Sequence, residues 1–311
     1  MNSSLTGHIL TSYYAPRGRS RIFELGIHLA QQYLSPFDLI IGVIGEAGSG
    51  KSALIKGMFP GLELTNDDDG VNVRPLPLLD QDLEHGFFTP HTYHVDIRFE
   101  TGFTSMNRLA DAILEAVSRG KRVIIEHFDL VYPMLGRNAD LLIGVGEQIL
   151  ITRPNLFGPE PKEIYDAVYH SLPYRLMAHT AEDLCEFLMP KEDMERCEHS
   201  DVRHGFILAY PDHEPSFDLR EMEKKVNDMI AEALPVTYLD ESHITIGEHK
   251  HFCTGPRTHV RNTGQIKGFH LLYRFLYDQK TKRYLMVGCV GDSSPERLAK
   301  LDELNPCIRF D

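Results

Sequence analysis

The chain has no tryptophan, only five cysteines among 311 residues, and fewer basic than acidic residues. The missing tryptophan excludes nothing. The cysteines are too few, and odd in number, for a disulfide framework, which points to a reducing, cytoplasmic setting. The deficit of positive charge, 32 Lys and Arg against 45 Asp and Glu for a net charge of -13, argues against a protein held to nucleic acid by a broad basic surface. It leaves room for a local basic groove or a transient RNA substrate. No run approaches the roughly 18 apolar residues of a membrane span. The stretch Met1 to His8 has no basic segment followed by an apolar one, so no secretory signal is expected. Oligomeric state is left open.

What is present suits an ordinary globular chain: 42% hydrophobic and 25% charged residues. At about 150 residues per domain, the length suggests two domains. Ile22, Leu25, Leu29, Ala30 and Tyr33 recur at helical spacing. Asp38 to Ile44, Arg122 to Glu126 and Leu141 to Val145 are short apolar runs that read as buried strands. Tyr93 to Phe99 alternates like a strand, and Ser105 to Arg119 is an amphipathic helix. Strands alternating with helices over 20–150 predict an α/β domain around a parallel sheet. Three prolines and a glycine between Pro154 and Pro161 read as a linker. Beyond it, helices are expected near 162–171 and 216–233, with strands at 204–210, 236–239, 243–247, 268–277 and 283–290. That is the grammar of a smaller α+β domain with an antiparallel sheet. The expected division is 1–158 and 159–311.

Gly45, Glu46, Ala47, Gly48, Ser49, Gly50, Lys51 and Ser52 fit G-x-x-x-x-G-K-[ST] at every fixed position, between an expected strand and an expected helix. Glycines there let backbone N–H groups turn around a phosphate, and the following helix adds its positive end. Lys51 would neutralise the β- and γ-phosphates of ATP or another NTP, and the Ser52 hydroxyl would ligate Mg²⁺. Such a site also needs an acid at the end of a neighbouring strand. Glu126 is the first candidate and Asp129 the second.

GEAGSGKS, the acidic run at Asp67-Asp68-Asp69 and VIIEH together resemble the uridine kinase branch of P-loop kinases, over residues 38–146. The resemblance implies that Asp67 faces the phosphoryl acceptor and that Lys51, Asp67 and Glu126 carry the reaction. The sequence departs from that family where an Arg-rich lid should follow the later strands: Leu150 to Pro154 offers Arg153 alone. Without a lid, water exclusion and charge stabilisation in the transition state would be poor.

Cys253-Thr254-Gly255-Pro256-Arg257-Thr258-His259-Val260-Arg261-Asn262-Thr263-Gly264 resembles a motif of the second additional domain of alanyl-tRNA synthetase. Threonyl-tRNA synthetase and the free-standing alanyl-tRNA editing proteins share that domain. VNDMIAEALPV and His179-Thr180-Ala181-Glu182-Asp183 extend the resemblance over residues 165–290. It implies a Zn²⁺ held by His179, Asp183, Cys253 and His259, and hydrolysis of a misacylated aminoacyl-tRNA or a related amino-acid ester. A helical i, i+4 pair puts two ligands on one face. Asp183 stands where that family has a histidine. Five residues, not three, separate Cys253 from His259, with Pro256-Arg257 reading as an insertion.

His249 and His251, two apart on one strand, form His-x-His-x-Cys with Cys253 and offer alternative ligands. His243, His204 and His213 read as polar surface, and Cys185, Cys197, Cys289 and Cys307 as plain thiols. Arg257, Arg261 and Lys267 would meet phosphate locally if tRNA binds, and are otherwise strand-edge charge. Three functions follow as expectations. One is a fusion of an NTP-binding domain with an editing-like hydrolase. The second is a nucleoside or other small-molecule kinase using its C-terminal domain for acceptor recognition. The third is a non-catalytic nucleotide-responsive module.

Overall fold

The computed structural model describes residues 10–65, 91–211 and 213–303. The chain divides into two compact units: Met1–Ala15 with Arg19–His170, and Pro16–Gly18 with Ser171–Asp311. The proline-rich stretch suggested a boundary at 158/159. The division instead falls inside a helix, α6 (Pro161–Leu188), because its first turns give Ile164 and Val168 to the core of the first unit.

The first unit runs β1 (Leu10–Tyr14), α1 (Arg19–Tyr33), β2 (Ile40–Gly45), α2 (Lys51–Met58), β3 (Thr92–Asp96), α3 (Ile97–Glu100), α4 (Met106–Ser118), β4 (Arg122–Glu126), α5 (Phe128–Leu135), β5 (Leu141–Val145) and β6 (Gln148–Thr152). Its sheet has the order β1-β6-β5-β2-β4-β3. The expected parallel arrangement holds for β5-β2-β4-β3. Strands β6 and β1 add on antiparallel, so the sheet is mixed.

Every residue of β2 is buried, as its unbroken apolar run requires of a central strand covered on both faces. The period of two sorts its side chains. Ile40 and Ile44 join Ile113 of α4 and Phe128 of α5 in one core. Ile41 and Val43 join Leu29 of α1 and Leu54 of α2 in another. The strand expected through Phe99 stops at Asp96, whose carboxylate accepts the Phe99 N–H at 3.2 Å and caps α3. Arg153, the single arginine where the kinase family has its lid, bonds the Asp38 carboxylate at 2.6 and 2.8 Å and the carbonyls of Tyr33 and Asp140. It fastens the chain at the start of β2.

The second unit contains the remainder of α6, α7 (Lys191–Arg196), β7 (Glu198–Val202), β8 (Gly205–Tyr210), α8 (Leu219–Ala231), β9 (Val236–Asp240), β10 (His243–Ile246), β11 (His249–Phe252), β12 (His270–Leu271), β13 (Leu276–Asp278), β14 (Arg283–Cys289) and α9 (Ser294–Glu303). Both its sheets are antiparallel: β11-β10-β9, and β12-β14-β8-β7 with β13 also on β14. The strand expected over 268–277 is split in two. Glu223 of α8 draws in the Leu271 N–H at 2.6 Å at the end of the first half and the Tyr273 hydroxyl at 2.8 Å just beyond it. Met177, Ala181 and Leu184 of α6, Phe206 and Leu208 of β8, and Val226 of α8 build its core. Among the described residues no helix is long and apolar enough to cross a membrane.

Candidate functional site

In the first unit the turn from β2 to α2 is made by two glycines in the left-handed region, Gly48 (φ 78) and Gly50 (φ 98). A side chain at Gly50 would be strained there and would also strike Ile22, 2.6 Å from a Cβ. Gly50 is the N-cap of α2 and brings no side-chain cap to its first turn. Lys51 is 5% exposed. Its Nζ donates to the Glu46 carbonyl at 3.0 Å and stands 3.5 Å from Glu126 Oε2. The Ser52 hydroxyl donates to Glu126 Oε1 at 3.4 Å. Three of the expected residues thus meet: Lys51, Ser52 and Glu126. Ser49 is buried beside them, and Glu46 bonds its neighbour's Ala47 N–H at 2.9 Å.

Glu126 has a partner the sequence did not announce. His94 of β3 lies with Nε2 3.1 Å from Glu126 Oε1. The Thr65 N–H donates to His94 Nδ1 at 3.1 Å. That nitrogen is therefore an acceptor, and a neutral ring carries its proton on Nε2, facing Glu126. Burial alone would raise the Glu126 pKa. The His94 hydrogen bond and the Lys51 charge outweigh it and hold the carboxyl at about 2. It is an anion at neutral pH.

Asp67 lies outside the described residues. Among the described residues a further acid, Asp96, ends β3 directly opposite Glu126 at the end of β4. Asp96, Glu126 and His127 each offer a ligand atom within 4.8 Å of the others. His127 follows Glu126 in a left-handed conformation (φ 56), uncommon for a residue with a side chain. Burial and the nearby Lys51 hold its imidazole at about 4, hence neutral. Asp129 is partly exposed and outside that group, its carboxyl raised by burial. Arg98 of α3 donates to Glu46 Oε1 at 3.0 Å and to the Tyr169 hydroxyl at 3.1 Å. This places a second cation against the loop.

The second unit holds a buried polar centre. Of the four expected zinc ligands, Asp183, Cys253 and His259 come together, with ligand atoms within 4.8 Å of one another. His259 Nε2 is 2.8 Å from Asp183 Oδ2 and 3.7 Å from Cys253 Sγ. His179 does not join them. Its Nδ1 meets Thr258 Oγ1 at 2.9 Å and its Nε2 meets Asp201 Oδ1 at 3.1 Å. His251 does approach: it is buried, and its Nε2 is 3.9 Å from Asp183 Oδ1 and without a hydrogen-bond partner among the described residues. His249, on the same strand face, is exposed.

The centre is occupied by a side chain. Arg17, 2% exposed, bonds Glu182 Oε2 at 2.7 Å and Cys253 Sγ at 3.1 Å, and pairs with Asp183 Oδ1. Its backbone N–H donates to Asp201 Oδ2 at 3.1 Å. Burial opposes the guanidinium charge, but Glu182, Cys253 and Glu186 outweigh it and raise the pKa. His199 pairs with Glu182 Oε1 at 2.9 Å. Burial works against its charge too, yet the hydrogen bonds to Cys197 and Glu182 push it up to about 10. Burial raises Glu182 as well, but Arg17 and His199 hold it below the usual carboxylate range. Glu186 is pushed up by burial, Arg17 only partly offsetting it. Burial, with Arg17 nearby, holds His259 at about 3 and His251 at about 4. With Arg17 on two of the three converging donors and His179 engaged elsewhere, the residues as arranged do not fit a tetrahedral zinc.

The other singled-out residues have ordinary partners. Arg257 meets Glu241 at 3.5 Å and lies over the Tyr238 ring, and Lys267 Nζ bonds the Gly264 carbonyl. Arg261 is exposed, its N–H donating to Gln265 Oε1. His243 pairs with Asp240, His213 with Asp193, and His204 lies against the Tyr174 ring. Cys185, Cys197 and Cys289 are free thiols, and Cys307 lies outside the described residues. No protein-family model and no curated protein matches the chain.

Proposed function

We propose that the first unit is a P-loop domain that binds a nucleoside triphosphate with Mg²⁺ and transfers its terminal phosphoryl group to a small acceptor, the smaller α+β unit following it. One observation carries the reading: Lys51 and Ser52, at the start of α2, both reach the anionic Glu126 at 3.5 and 3.4 Å, beside a loop whose glycines hold left-handed turns. A triphosphate in that loop would accept from backbone N–H groups and from Lys51 Nζ. The donor set suits a hard cation, since the Ser52 hydroxyl and the Glu126 carboxylate are oxygen ligands. Mg²⁺ bound with the nucleotide would neutralise charge on its β- and γ-phosphates.

Asp96 takes the acceptor-facing role that the kinase resemblance gave to Asp67. An acceptor hydroxyl oxygen attacks the γ-phosphorus, the bond from that phosphorus to the bridging oxygen breaks, and the nucleoside diphosphate leaves. The acceptor proton passes to the Asp96 carboxylate. His94 keeps Glu126 ionised and oriented. The free thiols suit a reducing, cytoplasmic setting. The test is calorimetric titration of the full chain with ATP and Mg²⁺, followed by an acceptor screen reading ADP release.

The other expectation, hydrolysis of an aminoacyl ester or aminoacyl-tRNA in the second unit, has the convergence of Asp183, Cys253 and His259 for it and Arg17, set on two of those three, against it. It requires a bound metal, so the metal content of the purified protein decides it.

A further inference from the structure

The polar centre of the second unit is built as a cation site, and its cation is part of the chain. Glu182, Asp183 and Glu186 come from one face and edge of α6, Cys253 from the end of β11, and His251 from β11 itself. Three carboxylates, a sulfur and the His251 imidazole are buried there, and the His259 ring beside them is 4% exposed. Burying so much anionic and donor capacity without a counter-charge is costly, which is why such clusters hold metals or paired cations. Arg17 supplies five N–H donors in a planar fork, suited to several acceptors at once, and hydrogen bonds or pairs with Glu182, Asp183 and Cys253. Its approach is shaped locally. Gly18 (φ 88) passes so close to Thr254 that a Cβ would lie 3.2 Å from the Thr254 carbonyl oxygen. A Cβ on Gly255 would lie 3.3 Å from Arg17 Cγ.

We propose that the Arg17 guanidinium replaces a metal ion in this centre, so that the native protein is metal-free there and Asp183, Cys253 and His259, with His251, form a latent zinc site. His251 is the strongest sign of latency: a buried imidazole whose Nε2 points toward Asp183 and Glu186 at 3.9 and 4.0 Å and bonds neither. Removing the guanidinium leaves the ligand atoms of Asp183, Cys253 and His259 converging, with His251 Nε2 3.9 Å from Asp183 Oδ1, a donor set zinc accepts. The inference is independent of the nucleotide reading of the first unit.

The test compares full-length wild type, Arg17→Ala and Arg17→Met after dialysis against zinc and removal of free metal. Metal content and the thermal midpoint are the readouts. Wild type is expected to carry no zinc and to show no zinc-dependent midpoint. The two variants are expected to take up about one zinc per chain and to gain midpoint with it, and Cys253→Ser added to either should abolish the uptake. Arg17→Met keeps the packing of an unbranched side chain, so it carries the test if Arg17→Ala fails to fold. Wild type holding one zinc per chain, lost on Cys253→Ser, overturns the proposal. So does failure of zinc to bind or to refold either Arg17 variant.

Discussion

Asp96 and Glu126 stand side by side at the ends of adjacent parallel strands, in direct register across β3 and β4. Two buried acids at neighbouring strand ends take different parts here. Glu126 is tied to Lys51, Ser52 and His94 and faces the loop. Asp96 spends one oxygen on capping α3 and accepts the Phe99 N–H there. The proposed kinase reaction assigns Glu126 to the cation and Asp96 to the acceptor.

That division is testable. Asp96→Asn should retain nucleotide affinity while turnover falls by about 10²–10⁴, the usual contribution of a positioned general base. Loss of nucleotide binding with turnover unchanged would contradict the assignment. Because the carboxamide can still accept the Phe99 N–H, the cap of α3 should survive, which far-ultraviolet circular dichroism checks.

Glu126→Gln should weaken Mg²⁺-dependent nucleotide binding by at least about tenfold and spare the Mg²⁺-independent part. His94→Ala should act in the same direction more weakly, through Glu126. The folded-state pKa of Glu126, about 2, lies below its usual 4.5. Its contribution to stability is therefore present above pH 4.5 and lost as pH falls from there toward 2. Glu126→Gln should flatten that part of an acid-unfolding curve.

The second unit has a pH dependence of its own. His199 is raised from 6.5 to about 10, so its stabilisation is full below pH 6.5 and lost as pH rises toward 10. His179 and His251 are lowered to about 4, so stability falls as pH drops below 6.5 and the unfolded chain takes up protons. Thermal unfolding of the full chain should show a limb on each side, and His199→Gln should remove much of the alkaline one. An unchanged alkaline limb would sink the His199 assignment.

Arg153→Ala should cost about 3 kcal/mol, because it leaves the Asp38 carboxylate buried without its partner. Nucleotide affinity should not change, since Arg153 fastens the start of β2 and not the loop at its end. A denaturant titration and a nucleotide titration of the same variant separate the two effects. Reduced affinity at unchanged stability would instead place Arg153 against the nucleotide.

Much of the first unit could be read in the sequence because its signals are local. The loop motif, the apolar runs of β2, β4 and β5, and Glu126 closing RVIIE each lie within a few consecutive residues. Asp96 escaped because YHVDIRF alternates beyond the strand end, and only the cap to the Phe99 N–H shows where the strand stops. Strand β1 escaped because its burial pattern is that of an exposed edge, without an apolar run to mark it. Arg17 could not be read at all: its partners Glu182 and Cys253 lie 165 and 236 positions away. A pairing at that separation is set by tertiary packing and leaves no spacing to recognise. His179 and Asp183 share the helical i, i+4 spacing, yet Thr258 and Asp201 turn His179 aside.

Whether the turn between β2 and α2 holds a nucleotide is decided by calorimetric titration of the full chain with ATP and Mg²⁺, run for wild type and Lys51→Ala. Wild type is expected to bind one nucleotide per chain, and Lys51→Ala to bind about 10- to 100-fold more weakly, the loss of a charge-assisted hydrogen bond to phosphate. Equal affinity in the two proteins, or no binding to wild type, would remove that turn as a nucleotide site.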